Sequence, residues 1–283
     1  MNINRTFASK LSNLLLPALL IAFVSACTHK NEPMPVEYQR IKEVVNRLIA
    51  YNDFGNDQIL FSVVSGKYAS YLAEELGLCK DDEYGCVYFS QLNPFIEYDD
   101  SINEILRQAY IFGDINGYAH SNGTVELPRH VFRLVGSDNN KLACIIAHEI
   151  THVIDHHTFK QSKELSEISE VNTDEEEKKL MDAKLSRKYE KIADENALIL
   201  TTRAGYPAQS CIDFMTFLYE SSGDGEKTQE DSTHPDLNDR INALKKINLT
   251  ELLPSKKEVQ VLSETAWSYS RKENYLILKP IKY

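Results

Sequence analysis

Several things are scarce in this 283-residue chain, and each scarcity removes a class of protein. Basic residues are short: 31 Lys and Arg stand against 42 Asp and Glu, a formal net charge of -11. Neutralising phosphates needs a basic face, so nucleic acid is excluded as a partner. A membrane-spanning helix needs about 20 apolar residues, whereas the apolar run at residues 14–24 has eleven. There is no internal repeat, which leaves no ground for a helical-repeat partner domain. Tryptophan occurs once, at position 267. What is present is ordinary globular material: 42% hydrophobic residues, with 15 Tyr and 11 Phe, which exclude disorder as the main state. The length suits one large domain or two small ones.

Residues 1–26 read as an address rather than as fold. Arg5 and Lys10 form a basic start, the apolar run follows, and Val24-Ser25-Ala26 leads into Cys27. This resembles the lipobox of bacterial lipoproteins, which implies cleavage before Cys27 and a lipid on that residue. Thr28, rather than Asp, at the next position favours the outer membrane by the enteric sorting rule. Residues 27–35 are then a lipidated cysteine and a polar tether, and the expected location is the periplasm. The mature chain carries 29 basic residues against 42 acidic ones, a net of -13.

Export also changes how the cysteines read. In an oxidising compartment Cys79 and Cys86, which bracket the polar turn CKDDEYGC, are expected to form a local disulfide. Cys144 and Cys211 lie in apolar helical contexts and read as buried free thiols, with a bridge between them left open.

Apolar spacing predicts helices over residues 36–51, 62–76, 129–135, 141–157, 180–200, 206–219 and 236–247. Residues 87–118 mix strand-like aromatic pieces, CVYF and AYIF, with a short helix near 102–108. Residues 123–127 (GTVEL) predict a strand closed by Pro128. Between 161 and 178, seven acidic residues face two basic ones, the pattern of a solvated helix or loop. The tail after 258 is partly β in character.

The chemistry is concentrated in His148-Glu149-Ile150-Thr151-His152, an HExxH inside the strongest helix. Residues four apart share a helix face, so His148 and His152 can reach one Zn²⁺, with Glu149 beside them to take a proton from a water. A catalytic zinc needs a third protein ligand. Downstream, Glu190 and Asp194 are one turn apart in a second helical stretch. Glu190 is expected to complete the site, and Asp194 to orient a ligand histidine through its other ring nitrogen. Glu195 faces elsewhere. His156 continues the stripe of His148 and His152 but reads as a solvent-facing helix end.

These pieces, taken in order with Asn116-Gly117-Tyr118-Ala119, His157, Ser186-Arg187, Ala204-Gly205-Tyr206, Ser232-Thr233-His234-Pro235 and Arg240, resemble a known family. It is the gluzincin peptidases that include the CAAX prenyl protease and the heat-shock membrane protease, with periplasmic lipoprotein members. The resemblance implies an α+β fold: a mainly helical zincin-like domain over residues 36–250, with a small β-sheet bordering the cleft. Residues 251–283 form an extension of unassigned role. It also implies a metalloendopeptidase holding one Zn²⁺ through His148, His152 and Glu190, with Glu149 as general base. His234 would approach the metal, buttressed by Arg240. Gly123, Thr124, Val125, Glu126 and Leu127 would form the strand edge that pairs with an extended substrate. The substrates expected of such a protein are unfolded or misassembled envelope proteins. The rival readings are a chaperone-like lipoprotein with an idle or gated zinc, and a zinc hydrolase of a non-peptide envelope substrate.

Overall fold

The computed structural model describes residues 33–79, 85–169, 174–222, 236–248 and 266–280. The signal segment, Cys27 and His234 lie outside the described residues. The fold is α+β and mainly helical, with one small sheet.

Helix α1 (Val36–Ile49) turns Tyr38, Ile41, Val44, Val45, Leu48 and Ile49 into the core, the full apolar stripe of its sequence. Strand β1 (Ile59–Val64) follows, and the sequence had pointed to a helix from residue 62 instead. Burial alternates along it, with Ile59, Phe61 and Val63 inward, and it pairs on both sides. Period two governs until Gly66, whose φ of +88° makes the turn into α2 (Lys67–Glu75). The pieces CVYF and AYIF are helical, in α3 (Val87–Ser90) and α4 (Asp100–Phe112), because Phe89, Ile105 and Ala109 build a small satellite core with Ala69 and Ala73 of α2. Asp99 caps α4 by accepting from the amide of Ile102. A disulfide between Cys79 and Cys86 links α2 to α3.

The sheet runs β2-β3-β1-β5-β4, with β2 at Tyr118–Ala119, β3 at Thr124–Pro128, β4 at Trp267–Ser270 and β5 at Tyr275–Leu278. β1 and β3 are parallel; β5 is antiparallel to β1 and brings Leu276 and Leu278 into the main core. The tail expected to be partly β therefore supplies two of the five strands.

One site expectation needs correcting here. The strand containing Thr124, Val125, Glu126 and Leu127 is not an edge: it lies between β1 and β2, with Tyr118 opposite Glu126 and Ala119 opposite Val125. Gly123, at φ +85°, closes the turn that folds β2 back onto it. Among the described residues the edge on this side of the sheet is β2.

After α5 (Arg129–Leu134), helix α6 (Asn139–Ile154) packs against α1, α8 and α9. Asp138 caps it, accepting from the amides of Asn140 and Lys141. Leu142, Ile146 and Ile150 are fully buried beneath it. The acidic stretch is helical, in α7 (His157–Ser169) and the start of α8 (Glu175–Arg203). Asp174 caps α8, and Glu175, Glu176 and Glu177 occupy its first turn, where negative charge suits the helix dipole. Gln161 bonds Asp182 at 2.8 Å, and Lys188 and Tyr189 both donate to Glu164, so α7 is strapped along α8.

Helices α9 (Gln209–Ser222) and α10 (Leu237–Leu244) complete the described fold. Cys144 and Cys211 are not free thiols. The packing of α9 against α6 brings their Cα atoms to 5.4 Å, and they form a disulfide. Cys144 therefore faces α9 and is committed there, not to the ligand set one turn further along α6.

Candidate active site

The site is built where α6 and α8 cross. Their spacing of four residues does the same work twice: His148 and His152 share one face of α6, and Glu190 and Asp194 share one face of α8. The two Nε2 atoms of His148 and His152 are 3.2 Å apart. Glu190 closes the triangle, its Oε2 at 3.5 Å from His148 Nε2 and its Oε1 at 3.5 Å from His152 Nε2. Two imidazole nitrogens and a carboxylate this close together could hold a metal ion. Four ligands around zinc at about 2.1 Å stand about 3.4 Å from one another, so the triangle fits three corners of a tetrahedron and leaves the fourth open. No other set of His, Cys, Asp or Glu among the described residues offers comparable geometry.

Asp194 stands behind His148. Its Oδ1 lies 3.0 Å from His148 Nδ1, leaving Nε2 for the metal. Arg240, from α10, grips Asp194 with two bonds of 2.6 Å and reaches Glu190 Oε2 at 3.4 Å. It serves the α8 carboxylates, which sequence alone did not reveal. Glu195, by contrast, is exposed.

Without a metal the electrostatics are lopsided. Burial alone would lower the pKa of His148, but bonds to Asp194 and Glu190 outweigh it and raise the group to about 10. Burial, with the nearby His148 charge, pushes His152 down to about 3. Asp194 is also buried, yet Arg240 and His148 hold its carboxyl below the usual range. A cation in the triangle would replace the proton on His148 as the charge facing Glu190.

Glu149 is buried beside this group, and burial raises its pKa to about 7, aided by the negative charge of Glu190. Its carboxyl lies against Gly117. A Cβ on that glycine would stand 2.7 Å from Glu149 Cγ and 2.9 Å from Oε1. Gly117→Ala should therefore displace the carboxyl and lower kcat/KM by about 10²-fold, the usual cost of a displacement near 1 Å. Zinc content should stay at one ion. Parallel metal analysis and peptide-cleavage kinetics check this, and an unimpaired variant would show that Glu149 tolerates the shift.

Gly117 leads directly into β2, so the sheet edge runs past the general-base candidate. At its far end His120 lies 3.1 Å from Glu126, and this bond raises the His120 pKa. Gln91 donates to the same Glu126 oxygen at 3.1 Å.

His156 follows the α6 stripe but leaves it: at φ +51° it breaks the helix and points to solvent, 3.5 Å from Asp57. The break turns His157 back instead, burying it with its Nδ1 3.2 Å from His152 Nδ1. Burial lowers its pKa to about 4.

Residues 176–248 match the model of peptidase family M48. The matched stretch carries Glu190, Asp194 and Arg240, and the HExxH lies upstream of it. The match spans 73 of the 283 residues and is a likeness to a peptidase family over that stretch. No curated protein matches the chain.

Proposed function

We propose that this chain is a zinc-dependent metalloendopeptidase, lipid-anchored at Cys27 in the bacterial periplasm, that cleaves unfolded or misassembled envelope proteins. The observation that carries the reading is the triangle of His148, His152 and Glu190 with Glu149 buried at its side. The three side chains would hold the zinc. When bound, zinc supplies a Lewis acid that polarises a scissile carbonyl and acidifies a water.

The chain's own residues do the rest. Asp194 fixes the His148 ring, and Arg240 neutralises the pair of carboxylates on α8. Glu149 accepts a proton at a carboxylate oxygen and returns it to the leaving nitrogen; burial makes this carboxylate the more basic one the task requires. An extended substrate would pair along Tyr118–Ala119, the half-buried strand at the end of the sheet among the described residues, so that the scissile bond passes Gly117 and Glu149. His234, expected from the resemblance to approach the metal, would in this reading help to hold the developing oxyanion. The apolar run and cysteine at residues 14–27 support the anchor, and a periplasmic address supports envelope proteins as substrates.

The test is cleavage of casein or an unfolded envelope protein by the purified mature chain. The expected result is endoproteolysis abolished by a chelator and restored by one equivalent of zinc. Client binding without cleavage at any zinc level would replace this reading with the chaperone-like one.

A further inference from the structure

The two histidines of the triangle are held from behind by different chemistry. His148 rests on a carboxylate, Asp194. His152 rests on another imidazole, His157, and the α6 helix has to be broken to put it there. In an unbroken helix residue 156, four positions after 152, would continue the ligand face, and residue 157 would be turned about 140° away from it. The left-handed His156 reverses this. His156 goes out to solvent and His157, first residue of α7, comes in to 2% exposure. There it packs against Tyr189 of α8, the rings tilted at 40° with centroids 4.8 Å apart, and meets the His152 ring at 88°.

The proton count then follows from the distances. Two Nδ1 atoms at 3.2 Å share one hydrogen, so one donates and the other accepts. The Nε2 of His152 faces Glu190 and His148 in the metal triangle, which leaves Nδ1 to carry its proton. His157 must accept at Nδ1 and keep its own proton on Nε2. That atom lies on the side of Asp155, whose Oδ2 is 3.7 Å away and is itself fixed by Asn196 at 2.9 Å.

We infer that His157 is a positioning residue for the metal: as a neutral imidazole it accepts the Nδ1 proton of His152, and so fixes the tautomer and ring angle that present Nε2 to zinc. This rests on the zinc-site reading above but not on peptide cleavage. Orienting partners of this kind contribute about 10- to 100-fold in metal affinity. The inference also gives the ordering of α7 a direct consequence at the site, because the helix begins with this residue.

Zinc itself is the probe, titrated into the metal-free mature chain against a chromophoric chelator. His157→Phe keeps the ring and its packing against Tyr189 but cannot accept; its zinc Kd should rise about 10- to 100-fold. His157→Asn offers an oxygen near the place of Nδ1 and should stay within about threefold of wild type. Equal losses in both variants, or in neither, would overturn the inference, since a packing role alone does not distinguish them by their acceptor. Nitrogen-15 spectra of the zinc-loaded wild type give a check that needs no variant. His152 should carry its proton on Nδ1 and His157 on Nε2 only; a doubly protonated His157 would overturn the assignment. A wild-type chain that binds zinc but cleaves nothing would remove the peptidase reading and leave this one standing. A wild type that binds no zinc would remove both.

Discussion

Glu149→Gln is expected to lower kcat by about 10³-fold while keeping stoichiometric zinc, because general-base catalysis contributes on that scale and Glu149 is not one of the converging ligand atoms. The same substitution should stabilise the metal-free protein. Glu149 is a carboxyl whose folded pKa, about 7, lies above its ordinary 4.5. The folded chain therefore holds a proton that the unfolded chain releases between these values. Stability falls as pH rises through that window, and the full cost is present above about pH 7. Gln is exempt from it. Melting with a chelator should show the variant more stable at pH 8 by at most about 3 kcal/mol, or roughly 5–10 °C, with the gap closing by pH 4. A loss of activity accompanied by lost zinc or a lower melting temperature at pH 8 would contradict both arguments.

Arg240→Ala is expected to have the largest effect on the fold, a loss of about 4 kcal/mol. Arg240 is the cation that compensates Asp194, and it also reaches Glu190; all three side chains are largely buried. Its removal leaves two carboxylates in the interior without the cation that grips Asp194 and reaches Glu190. The pH signature has a definite sign. Asp194 has a depressed folded pKa, so its stabilisation is present above the ordinary carboxylate range and is lost as pH falls through the folded value. The gap between wild type and Arg240→Ala should be widest near pH 7 and shrink on acidification. Denaturant unfolding at pH 7 and pH 4 checks it. Arg240→Lys should recover only part of the loss, because an ammonium cannot reproduce the two parallel bonds to Asp194. A gap that is flat with pH would mean that Arg240 acts through packing alone.

How much of this could be read in the chain beforehand follows the range of the interaction involved. His148, His152 and Glu149 were legible because a helix repeats every 3.6 residues, and that period fixes their common face without help from the fold. The same local rule exposed Glu190 and Asp194. Arg240 was visible as a residue of interest but its partner was not, since a contact from α10 to α8 depends on how two helices pack. His157 was visible as a piece of the family resemblance but its contact with His152 was not: helical spacing puts residue 156, not 157, on the ligand face, and a single left-handed residue redirects the chain. The two-residue strand Tyr118–Ala119 has no periodicity to read, so β3 looked like the edge. Residues 59–64 carried a strand pattern that a helical reading from residue 62 cut in two. The bridge from Cys144 to Cys211 is a meeting across the core, with 67 residues of separation and no local signature.

On the proposed peptidase reading, that bridge has a topological meaning. The ring it closes runs from residue 144 to residue 211 and contains His148, Glu149, His152, His157, Glu190 and Asp194. A single nick anywhere inside the ring, including one the protein makes in its own acidic stretch, opens the ring but cannot separate the fragments. α6 and α8 stay joined through sulfur, and the metal triangle stays on one covalent molecule. Oxidation would in this way make the site tolerant of its own chemistry, and reduction would expose any accumulated cuts as separate pieces.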